Sequence, residues 1–183
     1  MTYAPQTAVG TPLVGLEGAP ADSQAADDNV VRTYLQEESS AHIPFGRVVK
    51  LGTADAGTGV SGAKVPSAKT DKLVGISTFA RSFNRGTELD DDGILPKVHF
   101  GVTEKGTLWI MPEEDVVPGD AVHARVTTNS AKLPGMIGKS DDGAKTIDIT
   151  PFAQWRTAGG PTLGQPAKLT FDFTNRVLGL TDS

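Results

Sequence analysis

The residue types that most often do chemistry form no recognisable catalytic or metal-binding pattern in this 183-residue chain. Three histidines, His42, His99 and His123, lie far apart, and none has the H-x-x-x-H spacing that brings two imidazoles to one metal ion. Cysteine is absent, which excludes disulfides and thiolate metal sites. No G-x-S-x-G motif marks a serine nucleophile. We therefore predict no catalytic residue, no cofactor and no metal-binding residue, and we expect that the chain is not an enzyme.

One segment, residues 135–140 (GMIGKS), resembles the end of a phosphate-binding P-loop. That motif needs a glycine five positions before Gly138, and position 133 is leucine. The residues that follow, DDGAK, predict a turn rather than the first turn of a helix. We therefore expect no row of free backbone amides that would hold a phosphate here.

Two acidic clusters, residues 90–92 and residues 141–142, each precede a glycine. Neither has the register of an EF-hand loop, in which acidic ligands alternate along the chain and a glutamate closes the loop. Adjacent carboxylates in a turn are expected to face water. A weak structural ion shared between subunits is the alternative interpretation of these clusters.

The overall charge argues against a nucleic-acid partner, and the N-terminal sequence argues against a membrane partner. The chain has 17 basic and 22 acidic residues, a formal charge of −5, and no stripe of Lys and Arg with interleaved aromatic residues, so a nucleic-acid groove is not expected. The N-terminus has neither a basic region nor an unbroken apolar run, which predicts no signal peptide and no membrane anchor. We expect synthesis in the cytoplasm and no membrane partner.

The elements that must position these residues are predicted to be short strands. Gly (21) and Pro (12) are frequent, and turn signals punctuate short runs of apolar and β-branched residues. About eight strands are expected, without a long helix. The predicted strands are residues 43–51, 72–80, 97–102, 106–111, 122–126, 145–158 and 167–175, with an ambiguous segment at residues 29–40 that also fits a helical face.

Three local features sharpen the prediction. Residues 103–105 (TEK) are read as the turn of a hairpin between the strands at 97–102 and 106–111. Gly75 is expected at a bulge or at a close approach of two backbones. Pro118 and Gly119 predict the two central positions of a type II turn. The fold class is all-β: a single compact β-barrel or jelly-roll-like domain at residues 29–183 with an extended N-terminal arm at residues 1–28.

The arm mixes Gly, Ala, Pro and Thr with isolated apolar residues and has no helical or strand period. A segment so poor in residues that could bury one another is expected to need a partner surface. We predict an assembly arm, and the alternative is an arm folded back over its own domain. The predicted contact residues are Val9, Leu13, Val14 and Leu16.

Five segments, taken in order, resemble those of the capsid cement or decoration proteins of bacteriophages. They are IPFGRVV (43–49), LVGIS (73–77), GTLWIM (106–111), VVPGDAVHARV (116–126) and ITPFAQWRTA (149–158). The resemblance implies a β-barrel or jelly roll that binds the outer surface of a phage capsid and stabilises the shell by bridging major capsid protein subunits. It further implies a homo-oligomer, a trimer or alternatively a dimer, located in the virion. No catalytic residue comes with it.

The alternative function is another virion β-domain, from a tail or baseplate or from a receptor- or glycan-binding module. A glycan site usually presents exposed aromatic side chains, and the chain has two Trp and two Tyr. Trp109 and Trp155 both fall in apolar strand contexts, which disfavours a glycan site.

Overall fold

The fold is that of a computed structural model, which describes residues 17–21, 29–38, 42–54, 56–78, 89–90 and 93–174. Within these residues the chain is all-β, as predicted, with twelve strands and a single turn of 3-10 helix at Gly143–Lys145. The strands are β1 (Val30–Gln36), β2 (Val48–Ala54), β3 (Ser61–Lys64), β4 (Leu73–Ser77), β5 (Leu89–Asp90), β6 (Gly93–Ile94), β7 (His99–Ile110), β8 (His123–Arg125), β9 (Ile137–Gly138), β10 (Thr146–Asp148), β11 (Ala153–Trp155) and β12 (Ala167–Asp172).

Five of these strands close a barrel. They pair in the order β1-β3-β2-β4-β7, and β7 pairs back with β1 to complete the ring. Strands β12 and β11 extend the sheet beyond β7, so that β11 is its last strand. A second sheet, β10-β8-β9, and the small β5-β6 hairpin complete the fold. The predicted β-barrel is confirmed, and the strand β1 lies within the ambiguous segment at 29–40.

The hairpin predicted at residues 97–111 is wrong, because residues 99–110 form one continuous strand. β7 pairs with β1 through its first half and with β12 through its second half, and Gly106, where the two halves meet, has φ +150°. Glu104, in the supposed turn, is buried and accepts a hydrogen bond from the Tyr34 hydroxyl (2.7 Å). A backbone conformation that residues with a Cβ rarely adopt therefore accounts for the glycine, and a buried polar pair accounts for the acid.

The other two local predictions are confirmed. A Cβ on Gly75 would lie 2.3 Å from the carbonyl oxygen of Thr103, so two backbones do approach closely at this position. Gly119 has φ +95°, and the Asp120 N–H donates to the Val117 carbonyl (3.1 Å), which closes the Pro118–Gly119 turn.

Two apolar cores share strands β2, β4 and β7. Val48 of β2 belongs to the larger core and Val49 to the smaller one, and every residue of β4 is buried. The larger core includes Val48, Leu73, Ile76, Leu108, Ile110, Val122, Ala124, Ile137, Trp155, Leu169 and Phe171. The smaller core includes Tyr34, Ile43, Val49, Ala63, Val74, Ile94, Phe100 and Val102. Each fully buried large side chain contributes roughly 1.5–3 kcal/mol to the free energy of folding. The two cores together therefore stabilise the barrel.

Candidate functional site

The four predicted contact residues of the arm, Val9, Leu13, Val14 and Leu16, lie outside the described residues. The nearby residues 17–21, which we call the arm root, lie along β7 as an added strand segment. The Gly18 N–H donates to the Trp109 carbonyl (2.7 Å), and the Trp109 N–H donates to the Ala19 carbonyl (2.9 Å). The Ala21 N–H donates to the Thr107 carbonyl (3.0 Å). Backbone pairing thus fixes the arm root on the barrel.

A cradle for the arm root is built at Gly46, between Ile43 and β2. Gly46 has φ +73°, and a Cβ there would lie 2.6 Å from Cγ of Glu17. The Gly46 N–H donates to the Ser77 carbonyl (2.8 Å), which ties this turn to β4. Only a residue without a side chain both takes this backbone conformation easily and leaves room for Glu17.

Glu17 carries a charge into this cradle. Burial raises the pKa of its carboxyl group, while the Arg47 guanidinium and the backbone N–H of Met111 only partly offset the effect. Burial likewise lowers the pKa of Arg47, against the charges of Glu17 and Glu113. Nη1 of Arg47 is buried without a hydrogen-bond partner among the described residues. The arm root is therefore held by backbone pairing and shape, at an electrostatic cost.

A buried ion pair lies next to this region and was not predicted. Arg125 of β8 binds Glu113 in a two-pronged geometry, with Nε to Oε2 and Nη2 to Oε1 both at 2.7 Å. Both side chains are at most 2% exposed. Nη1 of Arg125 also donates to Asp142 (3.0 Å), which accepts a further hydrogen bond from Asn129 (2.8 Å). The only signal in the sequence was a charged residue between Ala124 and Val126 in an apolar strand.

The outer face of β7, β12 and β11 is the other prominent polar surface. The registers of these strands place their outward side chains in three rows of three, which we call the outer face. The rows are Trp109, Lys168 and Arg156; Thr107, Thr170 and Gln154; and Lys105, Asp172 and Phe152. The ammonium group of Lys168 lies 5.2 Å from the centre of the Trp109 ring. The arm root borders this face along β7.

A cleft of about 560 Å³ opens on the outer face. Its floor includes Gly106, Thr107 and Thr170, and its rim includes Gly119, Asp120 and Asn29. The hydroxyls of Thr107 and Thr170 are hydrogen bonded (2.8 Å), and Nε of Arg156 donates to the Thr170 hydroxyl (3.1 Å). The cleft thus has a mixed polar and apolar lining, and its hydroxyls hold an arginine in place.

Comparison with known families identifies the chain. The family model described as "Structural cement protein (E217 gp24/Pam3 gp6)" matches residues 5–171, which span both the arm and the barrel. The chain belongs to this phage cement family. It is therefore a structural protein of the phage capsid, and the resemblance seen in the sequence is confirmed.

A solved structure, the capsid of Myoviridae phage XM1, contains a chain with the same fold. The two chains superpose with a TM-score of 0.59 over 94% of this chain and 98% of that chain, at 14% sequence identity. A likeness at this identity shows the fold alone. A search of curated proteins finds no match.

The acidic cluster at residues 141–142 has structural partners in this cement-family member. Asp141 accepts hydrogen bonds from the Gly143 N–H (2.9 Å) and the Thr146 hydroxyl (3.0 Å), which lower the pKa of its carboxyl group. Asp142, whose pKa is lowered by Arg125 and Asn129, is bound to the buried network, so the expectation that both face water is wrong for Asp142. Residues 91–92 lie outside the described residues.

The GMIGKS segment already holds an anion from its own chain. Backbone N–H groups of Lys139 and Ser140 donate to the Glu114 carboxylate (3.0 and 2.7 Å), and the Ser140 hydroxyl donates to its second oxygen (2.8 Å). Burial alone would raise the pKa of Glu114, but these hydrogen bonds outweigh it and lower the pKa. The amides that might have bound a phosphate therefore serve the fold.

The histidines occupy three separate environments. His99 is exposed at the start of β7, His42 is half-buried, and His123 is buried at the start of β8. His123 is buried because both faces of β8 are covered. No group of three or more His, Asp or Glu residues in the described part of the chain could hold a metal ion. No helix in that part is long and apolar enough to cross a membrane.

Proposed function

We propose that this protein binds the outer surface of a phage capsid and stabilises the shell by bridging neighbouring major capsid protein subunits. The observation that carries the proposal is the match to the cement family, which spans the arm as well as the barrel. The firm double core and the arm root fixed on β7 support it. In this account the barrel, residues 29–183, rests on one part of the shell, and the arm, residues 1–28, reaches another.

The physics of such a bridge favours a rigid body with an extended arm. Each arm residue that becomes ordered loses roughly 1–2 kcal/mol of backbone entropy, so the arm gains only where apolar residues such as Val9, Leu13, Val14 and Leu16 enter pockets. We propose a homo-oligomer, a trimer or alternatively a dimer, because several arms acting together raise the effective concentration of each contact. Weak single contacts can then add up to tight binding.

The charge of the chain supports the outer rather than the inner surface. A net charge of −5 is poorly suited to face packaged DNA, whose phosphates repel it. We propose that the protein is made in the host cytoplasm and joins the assembled shell from outside.

The test is binding of the purified full-length chain to expanded capsids that lack it. We expect saturable co-sedimentation with a copy number near that of the major capsid protein, and a higher melting temperature of the decorated shell. No binding, or binding without stabilisation, would contradict the proposal. A copy number in whole particles far below that of the major capsid protein would favour the alternative, a tail or receptor-binding component.

A second experiment tests the arm. Deletion of residues 1–16 removes the four predicted contact residues and leaves the arm root in place. We expect an unchanged melting temperature of the isolated protein and much weaker capsid binding. Full capsid affinity after this deletion would show that the arm is not the tether.

A further inference from the structure

Arg156 differs from the other cations of the outer face and the cleft rim in what it binds. Lys105 pairs with Asp172 (3.5 Å), and the rim residue Asp120 pairs with Lys139 (3.6 Å), so both carboxylates of the cleft are engaged. Arg156 forms no ion pair with any carboxylate in the described part of the chain. Among the described residues its guanidinium is held through Nε alone, by the hydroxyl of Thr170.

That single contact orients the arginine. Because Nε is fixed on Thr170, and Thr170 is itself fixed by Thr107, the guanidinium plane is set by the sheet. Its two terminal nitrogens have no acceptor among the described residues. A guanidinium fork of this kind matches the two oxygens of a carboxylate. Less side-chain entropy is lost on binding when the fork is already oriented.

The cleft lining itself is balanced in charge, with Lys105 and Arg156 against Asp120 and Asp172, and the excess of positive charge lies on the outer face around it. Three cations, Lys105, Lys168 and Arg156, and one anion, Asp172, lie among the nine residues of the outer face, a local charge of +2 (three minus one) on a chain with a net charge of −5. The cleft volume of about 560 Å³ is more than enough for an acidic side chain and its neighbours.

We propose that Arg156 and its cleft form a docking site for an acidic side chain, Asp or Glu, presented by the capsid surface. This inference rests on the proposed capsid binding and adds the chemistry of the contact. The outer face borders the arm root, so the barrel contact and the arm would act on one side of the protein. Arg156 makes the two-pronged ion pair, and Lys105 and Lys168 add long-range attraction.

The test uses the full-length chain and capsids that lack it. Arg156→Gln is expected to weaken capsid binding about 10- to 100-fold, since a charge-assisted pair is lost. Arg156→Lys, which keeps the charge and loses the fork, is expected to weaken binding by about 10-fold. Lys145→Gln, which removes one exposed positive charge from the 3-10 turn, is the matched control and should change affinity less than about 2-fold.

The outcomes separate this inference from the proposed function. If the wild-type chain does not bind capsids, the proposed function fails and this inference fails with it. If the wild-type chain binds and Arg156→Gln binds equally well, only the docking site is overturned. If Arg156→Gln lowers the stability of the isolated chain but not its capsid affinity, the cleft holds a carboxylate of its own chain, which also overturns the site. Restored binding of Arg156→Glu to a capsid with one Asp or Glu changed to Arg would establish the pair.

Discussion

Arg125 and Arg156 carry the same guanidinium group in opposite surroundings. Arg125 is 1% exposed, and each of its three guanidinium nitrogens binds a carboxylate, of Glu113 or of Asp142. Arg156 lies on the outer face, where a hydroxyl orients it and no carboxylate of the described chain binds it. The first arginine is committed to the fold, and the second is available to a partner. A buried pair and a prepared but unpaired group should respond differently to mutation.

The largest expected effect is on the buried side. Glu113→Ala leaves the Arg125 charge buried without its main partner, and we expect a loss of about 3–5 kcal/mol in the free energy of unfolding. Urea denaturation measures this directly. As a control, Lys105→Ala breaks the partly exposed pair with Asp172 and should cost less than about 1 kcal/mol. A loss for Glu113→Ala as small as that of the control would show that the buried network is not structural.

The same comparison explains what the sequence could and could not predict. Period-two alternation identified β12, and the continuous apolar run identified β4, because burial on one face or on both leaves these patterns. The partner of Arg125 was hidden, since Glu113 lies outside the strand and meets it only in the folded chain. The turn predicted at residues 103–105 failed for the same reason: the polar Glu104 is paired inside with Tyr34 of β1, 70 residues away.

Arg156 was equally invisible in the sequence, although the strand that precedes it was predicted. The exposure of β11's outward side chains follows from alternation, but the hydrogen bond to Thr170 depends on strand register. The arm root illustrates the same limit, because its pairing with β7 uses backbone groups that every residue except proline carries.

The next effect concerns the arm root, which borders the outer face. Gly46→Ala places an alanine in a left-handed backbone conformation and drives its Cβ against Glu17. Gly59→Ala places an alanine in the same conformation (φ +70°), but its Cβ meets no atom within 4 Å. We expect Gly59→Ala to cost about 1 kcal/mol and Gly46→Ala to cost more. Hydrogen exchange should show faster exchange at Gly18 and Ala21 in the Gly46 variant alone. Equal effects of both variants would show that Glu17 does not depend on the cradle.

A smaller effect depends on pH and has opposite signs in the two regions. Burial raises the pKa of Glu17 in the folded chain above its ordinary value of 4.5, so the folded chain keeps the carboxyl proton as the pH rises above 4.5. The stability that this proton contributes is then lost as the pH rises through the folded-state pKa. Glu17→Gln should therefore stabilise the arm root at pH 7 and have little effect below about pH 4. Protection factors of Gly18 and Ala21 measure this.

The buried network should show the reverse dependence. The pKa of Asp142 is lowered from 3.8, so its contribution is complete above that value and is lost as the pH falls through its folded-state pKa. An Asp142→Asn variant should therefore lose less stability than the wild type as the pH falls. The pH dependence of the arm root should stay as in the wild type. A shared pH dependence would show that the two regions are coupled.

The smallest effect on stability is expected at Thr170. Thr170→Val keeps the shape and the strand preference but removes the hydroxyl that orients Arg156, and we expect less than about 1 kcal/mol of destabilisation. Capsid affinity should nevertheless fall toward that of Arg156→Lys. Thr33→Val, at an exposed position of β1, is the matched control and should leave affinity unchanged. Unchanged affinity in Thr170→Val would show that Arg156 does not need to be oriented.

The most direct test of the account is an image reconstruction of the capsid with this protein bound. The account predicts barrel density on the outer surface in contact with two neighbouring major capsid protein subunits, with the outer face and the arm root turned toward the shell. Density on the inner surface or only at the tail, or a barrel that touches a single subunit, would contradict it.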